Sequence, residues 1–185
     1  MSVGIGQGYN LVTPLQLANA TAIIANNGIA FRPHLVRYIL DTKTSQLQII
    51  PSDVLYNLNF KPANLTLIQK ALVDVTGPGG TAARAGANSA YPIAGKTGTA
   101  QVVAFKQNEK SAESQVDERQ RDHALFIAYA PADHPQIVLA VLVENGGHGA
   151  ATAAPLARQV LDFYLLGKRP HSHIPTPEAK QEAND

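Results

Sequence analysis

No cysteine occurs among the 185 residues, so disulfides, thiolate zinc sites and cysteine nucleophiles are excluded together. Neither sign of charge dominates. Fifteen lysines and arginines against fourteen aspartates and glutamates leave a formal net charge of +1, which gives no broad attraction to nucleic acid or to an anionic membrane. A run of eighteen apolar residues is missing, and so is a signal-peptide pattern. The sequence as it stands is therefore expected to supply neither a membrane span nor a targeting segment of its own. What is there reads as globular: 45% of the residues are apolar and 16% are charged, enough for one well-buried core.

Met1 is followed at once by SVGIGQGYN, glycine-rich and without the polar slack of a free terminus, so the chain is expected to open in mid-domain. TPLQLANATAIIANNG carries helix boundaries: Thr13 as N-cap, Pro14 in the first turn, Gln16 completing a capping box, Gly28 as a left-handed stop. Leu15, Ala18, Ala22 and Ala25 fall on one face, which Leu17 and Ile24 widen. FRPHLVRYIL and QLQII read as short strands around a polar turn at 41–45, without an obvious partner. ANLTLIQKALVDVTGPGG reads as a second helix with Asn64 as its cap and Leu65, Ile68, Leu72 and Val75 as its apolar line. The glycines and proline at 77–80 end it, and TAARAG adds one more helical turn.

Strands are expected over 93–105, 124–130 and 136–144, the last two apolar enough to be covered on both faces and joined as an antiparallel hairpin through PADHP. The charged stretch 106–122 reads as a solvated loop. ENGGHG turns into a last helix with Leu156, Val160, Leu161, Tyr164 and Leu165 as its buried stripe and Gly167 at its end. The domain is thus placed at 1–167, with 168–185 as a disordered polar tail. The order of elements predicts an α+β fold, an antiparallel sheet packed by helices.

YPIAGKTGTAQVV, residues 91–103, holds the one stretch with a chemical signature. As a phosphate-binding loop it needs a glycine at position 90, which is alanine, and a helix after the lysine, where TGTAQVVAF reads as strand. Nucleotide binding fails on both counts. The other reading is Lys-Thr-Gly on an edge strand, a signature of serine acyl-transfer enzymes that handle penicillin. There Lys96 sets a fixed positive charge near a peptide carboxylate, and the Thr97 and Thr99 hydroxyls can bond it. Gly98 lets an extended peptide lie alongside the strand. The Thr99 N–H can meet a developing oxyanion, a contribution of roughly 3–4 kcal/mol. Taken alone, the tripeptide is equally a strand with one snorkelling lysine and a glycine bulge.

Its surroundings decide. GQGYNLVTPLQLANA, IAGKTGTAQVV, DHALFIAYAP and VENGGHGAATAAPLARQVLDFYL stand in this order, and together they closely resemble the C-terminal half of the transpeptidase domain of class B penicillin-binding proteins. VENGGHG followed by TAAPLAR is most similar to the elongation-type members of Gram-negative bacteria. The resemblance implies the penicillin-binding-protein and serine β-lactamase-like fold, and a peptidoglycan D,D-transpeptidase that cross-links stem peptides ending in D-Ala-D-Ala. It further implies acylation by β-lactams, no cofactor and no metal, and partners among cell-elongation membrane proteins. The parent would be anchored in the inner membrane with its catalytic domain in the periplasm. By motif match Lys96 takes the lysine's place, Thr97, Gly98 and Thr99 the substrate-binding places, and the Thr99 N–H one half of the oxyanion hole.

The family's S-x-x-K nucleophile and S-x-N motif are missing: none of Ser2, Ser45, Ser52, Ser89, Ser111, Ser114 and Ser172 begins either. Without an activated nucleophile the chain alone is expected to be inactive. The missing N-terminal half of the domain is its expected partner, and the strand over 136–144 is expected to present an open apolar edge without it. A β-lactamase or D,D-carboxypeptidase of the same fold, or a non-catalytic peptide-binding module, are the alternatives. His171 and His173 lack further metal ligands. His148 is read as a solvated turn residue with a place at the active-site rim as the alternative, His123 as structural, and 117–122 as solvated loop.

Overall fold

Thr13 opens the first helix through its side chain. In the computed structural model, which describes residues 11–102 and 118–169, α1 spans Pro14–Ala25. Thr13 Oγ1 accepts the Gln16 N–H at 3.2 Å, and Gln16 Oε1 accepts the Thr13 N–H at 2.8 Å, so two N–H groups without helical partners are satisfied reciprocally. Gly28, at φ +94°, reverses the chain after the helix. The buried line differs from the expected one. Pro14 and Leu17 line a small cleft together with Leu125, Ile127, Ala140 and Leu142 of the sheet, and Thr21, Ile23 and Ala25 are buried. Leu15 therefore points away and is 65% exposed.

The expected pair of short strands is a hairpin, β2 (Tyr38–Leu40) on β3 (Leu47–Ile49). A partnership that the pattern did not reveal carries it: β1 (Ile29–Phe31) pairs antiparallel with β4 (Val54–Asn57). Helix α2 spans Pro62–Thr76 and starts two residues before the expected cap. Pro14 and Pro62 each sit at a first turn, where the missing proline N–H costs nothing. Lys61, not Asn64, holds the cap position, without a side-chain bond. Ile68 is exposed; the α1-facing position is Gln69, whose Nε2 donates to the Ile24 carbonyl at 2.9 Å and to Asn27 Oδ1 at 3.1 Å. The short α3 (Ala83–Gly86) follows the glycine-rich stop.

Three antiparallel strands form the sheet in the order β5-β6-β7: Ala94–Ala100, His123–Ala130 and Ile137–Val143. Of the expected first strand, 103–105 lies outside the described residues. On one face lies α4 (Ala153–Leu166), which buries Ala153, Ala154, Ala157 and Leu161 against Ala124, Phe126, Ala128 and Ala130. The expected stripe on α4 is corrected in part: Leu161 is buried and Leu165 packs against the same core. Leu156, Val160 and Tyr164 are exposed. Alanine brings the helix close to strands that already carry the bulk of Phe126, Leu139 and Val141. Gly167 closes α4 in the left-handed region at φ +68°. On the other face α1 and α2 bury Ala94 and Tyr129 with Ala25. Residues of β7 are half-buried rather than enclosed, because this second face is only partly covered.

Candidate active site

The Lys-Thr-Gly strand is held firmly where it begins. Thr76 Oγ1, at the end of α2, donates to the carbonyl of Ile93. Tyr91 donates its hydroxyl to Asp162 Oδ1 on α4 at 2.7 Å, and Arg158 Nε donates to the same oxygen at 2.9 Å. Arg158 also donates to the carbonyls of Ala85 and Ala87 at 2.7 and 3.1 Å, with its guanidinium 5.9 Å from the Tyr91 ring centre. Burial raises the Asp162 pKa, but the Tyr91 hydroxyl and the Arg158 guanidinium outweigh it and hold the carboxyl below its ordinary value. Burial first, and the Asp162 hydrogen bond second, push the Tyr91 hydroxyl well above the usual tyrosine value.

From Ala94 to Ala100 the register with β6 is unbroken, and Lys96 stands opposite Ile127, Thr97 opposite Phe126, Gly98 opposite Leu125 and Thr99 opposite Ala124. Cross-strand partners share a face. Lys96 and Gly98 thus lie on the α1–α2 face, and Thr97 and Thr99 on the α4 face. Gly95 is required by packing: a Cβ there would stand 2.6 Å from the Phe126 ring and 2.8 Å from the Ile127 carbonyl oxygen. At Gly98 an added Cβ would meet only Leu125 Cβ, at 3.3 Å. Lys96 is exposed, and its Nζ donates to the Thr97 carbonyl at 2.8 Å. The ammonium therefore turns back along the strand and stays in solvent, beside the backbone edge that β6 does not occupy.

That edge follows from the position of one glycine. A Cβ on Gly149 would stand 2.3 Å from the Leu125 carbonyl oxygen, 2.6 Å from that of Gly98 and 3.2 Å from the Gly98 nitrogen. Two facing carbonyl oxygens so near one point must both lie between the strands, so Gly98 turns its polar groups to β6. Alternation along an antiparallel strand then turns the Thr97 carbonyl and the Thr99 N–H to the opposite side. Lys96 Nζ, the Thr97 carbonyl and the Thr99 N–H share β5's outer edge, where an extended peptide can add as a strand.

At its far end the strand meets the ENGGHG turn. Val102 N–H donates to Asp122 Oδ1 at 3.3 Å, and the Gly147 N–H to the Asp122 carbonyl at 2.8 Å. Asn145, at φ +54°, donates its N–H to His123 Nδ1 at 2.9 Å. Its Nδ2 donates to the Arg119 and Arg121 carbonyls, and Thr152 Oγ1 donates to the Gly146 carbonyl at 2.8 Å. His123 is therefore structural, with its Nε2 carrying the proton in the neutral ring. Asp122 is a strand anchor rather than loose loop, while 106–117 lies outside the described residues. His148 sits exposed in the turn, its carbonyl accepting the Ala151 and Thr152 N–H groups. His171 and His173 lie outside the described residues. Among the described residues no cluster of three or more histidine, aspartate or glutamate side chains is placed to hold a metal ion, and no helix is long and apolar enough to cross a membrane. Sequence reasoning missed Asn145, Gly149 and the Tyr91–Arg158–Asp162 group. The NGG run flags a positive-φ turn, but nothing local says what it touches.

An antiparallel sheet backed by helices, with Lys-Thr-Gly on its edge strand, is the setting of this sequence signature, and residues 1–162 match the penicillin-binding protein transpeptidase domain. The chain belongs to that family. It is 43% identical over 173 residues to the peptidoglycan D,D-transpeptidase MrdA of Haemophilus influenzae, covering 92% of this chain and 26% of that protein. The crystal structure of Pseudomonas aeruginosa PBP2 in complex with WCK 5153 is 41% identical and superposes with a TM-score of 0.70 over 93% of this chain and 34% of that one. The ceftriaxone acyl-enzyme of Mycobacterium tuberculosis penicillin-binding protein A is 30% identical, with a TM-score of 0.69 over 89% of this chain and 35% of that one. The chain thus spans about a quarter of the length of the curated relative.

Proposed function

We propose that this chain is the Lys-Thr-Gly segment of a serine D,D-transpeptidase that cross-links peptidoglycan stem peptides in cell-wall elongation. The observation that carries the reading is the shared outer edge of β5, with Lys96 Nζ, the Thr97 carbonyl and the Thr99 N–H on one side of the strand. A stem peptide ending in D-Ala-D-Ala lies along that edge, with its terminal carboxylate near the Lys96 ammonium and the Thr97 and Thr99 hydroxyls. Gly98 keeps the peptide's approach clear.

The nucleophilic serine stands outside this sequence. Its oxygen bonds to the penultimate D-Ala carbonyl carbon, the peptide C–N bond breaks, and the terminal D-Ala leaves with the proton that the serine gives up. Negative charge on the carbonyl oxygen is met by the Thr99 N–H. An amine of a neighbouring stem then attacks the ester, forms the cross-link and returns a proton to the serine. A β-lactam enters the same first step, its ring nitrogen taking the proton, and the resemblance to a ceftriaxone acyl-enzyme supports that. Similarity to MrdA supports the elongation role, and with it membrane-embedded elongation proteins as partners and a membrane-anchored parent working in the periplasm.

Because the chain holds no S-x-x-K, it acts alone at most as a peptide-binding module. Fluorescent penicillin tests both statements. It is expected to label the complete protein covalently and to leave this chain unlabelled, and Lys96→Ala in the complete protein is expected to slow labelling by about a hundredfold or more. Covalent label on this chain by itself, or undiminished labelling of the variant, overturns the reading. Rapid turnover of a chromogenic cephalosporin by the complete protein would mark a β-lactamase instead.

A further inference from the structure

Gly149 belongs to no strand, helix or motif of the acyl-transfer chemistry, yet it lies against the peptide that matters most to it. The side chains of Leu125 and the missing side chain of Gly98 point to the α1–α2 face. Between the flanking Thr97, Thr99, Ala124 and Phe126 side chains, the α4 face of this ladder rung is therefore bare backbone. Gly149 is seated there, buried, at the foot of α4, whose Ala154 N–H donates to the Gly149 carbonyl at 2.9 Å. A Cβ on Gly149 would run into the Leu125 and Gly98 carbonyl oxygens at 2.3 and 2.6 Å. Both are backbone atoms of a paired ladder, which cannot rotate aside as a flexible side chain would. Gly149 has no positive φ, so the demand for glycine here is one of contact and not of conformation.

We propose that Gly149 is a positioning residue for acylation: it sets the height of the Gly98–Thr99 peptide against β6, and so the direction of the Thr99 N–H toward the developing oxyanion. The proposal rests on the assignment of that N–H under the proposed function. An added methyl group must lift β5 at Gly98 or push the turn away, and either tilts the N–H by a few tenths of an ångström at the point where alignment decides its effect. The ground-state contacts of Lys96 and the threonine hydroxyls lie along the strand and are less sensitive to that tilt.

The test is stopped-flow acylation of the complete protein by a β-lactam, which separates the noncovalent dissociation constant from the acylation rate constant. Gly149→Ala is expected to lower the acylation rate constant at least tenfold with the dissociation constant within threefold of wild type. Gly147→Ala is the control. It strains the same turn at φ +71° but meets nothing within 4 Å, and its acylation rate constant is expected to stay within twofold of wild type. Should Gly149→Ala fail to fold by thermal melting, Thr152→Val decides. It releases the hydroxyl bond to the Gly146 carbonyl without adding an atom, and is expected to lower the same rate constant at least threefold. An unchanged rate constant in the folded Gly149 variant, or in Thr152→Val, or an equal loss in Gly147→Ala, overturns the inference while acylation of the wild type stands. A wild type that is not acylated at all overturns the proposed function, and the inference with it.

Discussion

Two buried tyrosines next to the Lys-Thr-Gly strand are expected to respond oppositely to the loss of one oxygen. The Tyr91 hydroxyl donates to the ionised Asp162. The Tyr129 hydroxyl is buried without a hydrogen-bond partner among the described residues. Tyr91→Phe should therefore cost about 1–2 kcal/mol at neutral pH, whereas Tyr129→Phe should be neutral or stabilising, both read from denaturant unfolding of the complete protein. The cost at Tyr91 carries a pH signature. The Asp162 pKa is lowered in the folded state, so its stabilisation is fully present above the unfolded carboxylate pKa and is lost as pH falls through the folded one. The penalty of Tyr91→Phe should shrink over that acidic window, and a penalty constant with pH would contradict the ion-paired account. At this scale the sequence marked Lys96, Thr97, Gly98 and Thr99 as candidates, because their signature is contiguous, and the structure puts all four on one strand. It could not disclose Tyr91 with Asp162, 71 positions apart, since only folding brings them together.

Among the elements, α1 was legible to its cap because everything that starts it is local. Thr13 and Gln16 make their reciprocal bonds within three residues, so Thr13→Ala should lower stability by about 1 kcal/mol, checked by thermal melting with Thr13→Ser as the variant that keeps most of it. Helix α4 was legible in extent and only partly in orientation, with Leu161 and Leu165 of the expected stripe on the core. A stripe chosen by side-chain size selects Leu156, Val160 and Tyr164, while the sheet selects Ala153, Ala154 and Ala157. The strands, rich in branched and aromatic side chains, already fill the layer, and only a small-faced helix can lie close to them. Composition within one helix does not record the shape of its neighbour. The β1–β4 pairing was hidden for a related reason. Its strands are three and four residues long, too short for a period to show, and they are fixed by the hairpin they enclose.

At the scale of the whole molecule, the sheet has only three strands and both outer edges face no strand among the described residues. Edge β5 is where the proposed function places an extended peptide. Edge β7 has no such use and is nearly all apolar: Ile137, Val138, Leu139, Ala140, Val141, Leu142 and Val143 follow one another without a charge. The hairpin arm adds to this, since Leu35, Tyr38, Ile39, Leu40, Leu47 and Ile49 are all exposed. An uncharged strand edge beside an exposed apolar surface favours pairing with another chain. The chain by itself should therefore associate in a concentration-dependent way, which sedimentation velocity would read as species heavier than the 19.7 kDa monomer. Leu142→Lys puts a charge on the partly exposed α1 side of that strand and should shift the distribution toward monomer, while Lys43→Ala, in the polar turn of the arm, should not. A monodisperse monomer that unfolds cooperatively would show that β7 needs no covering strand. Three strands would then suffice for a stable sheet, and the outer edge of β5, with Lys96 Nζ and the Thr97 carbonyl on it, would be in place in this chain by itself.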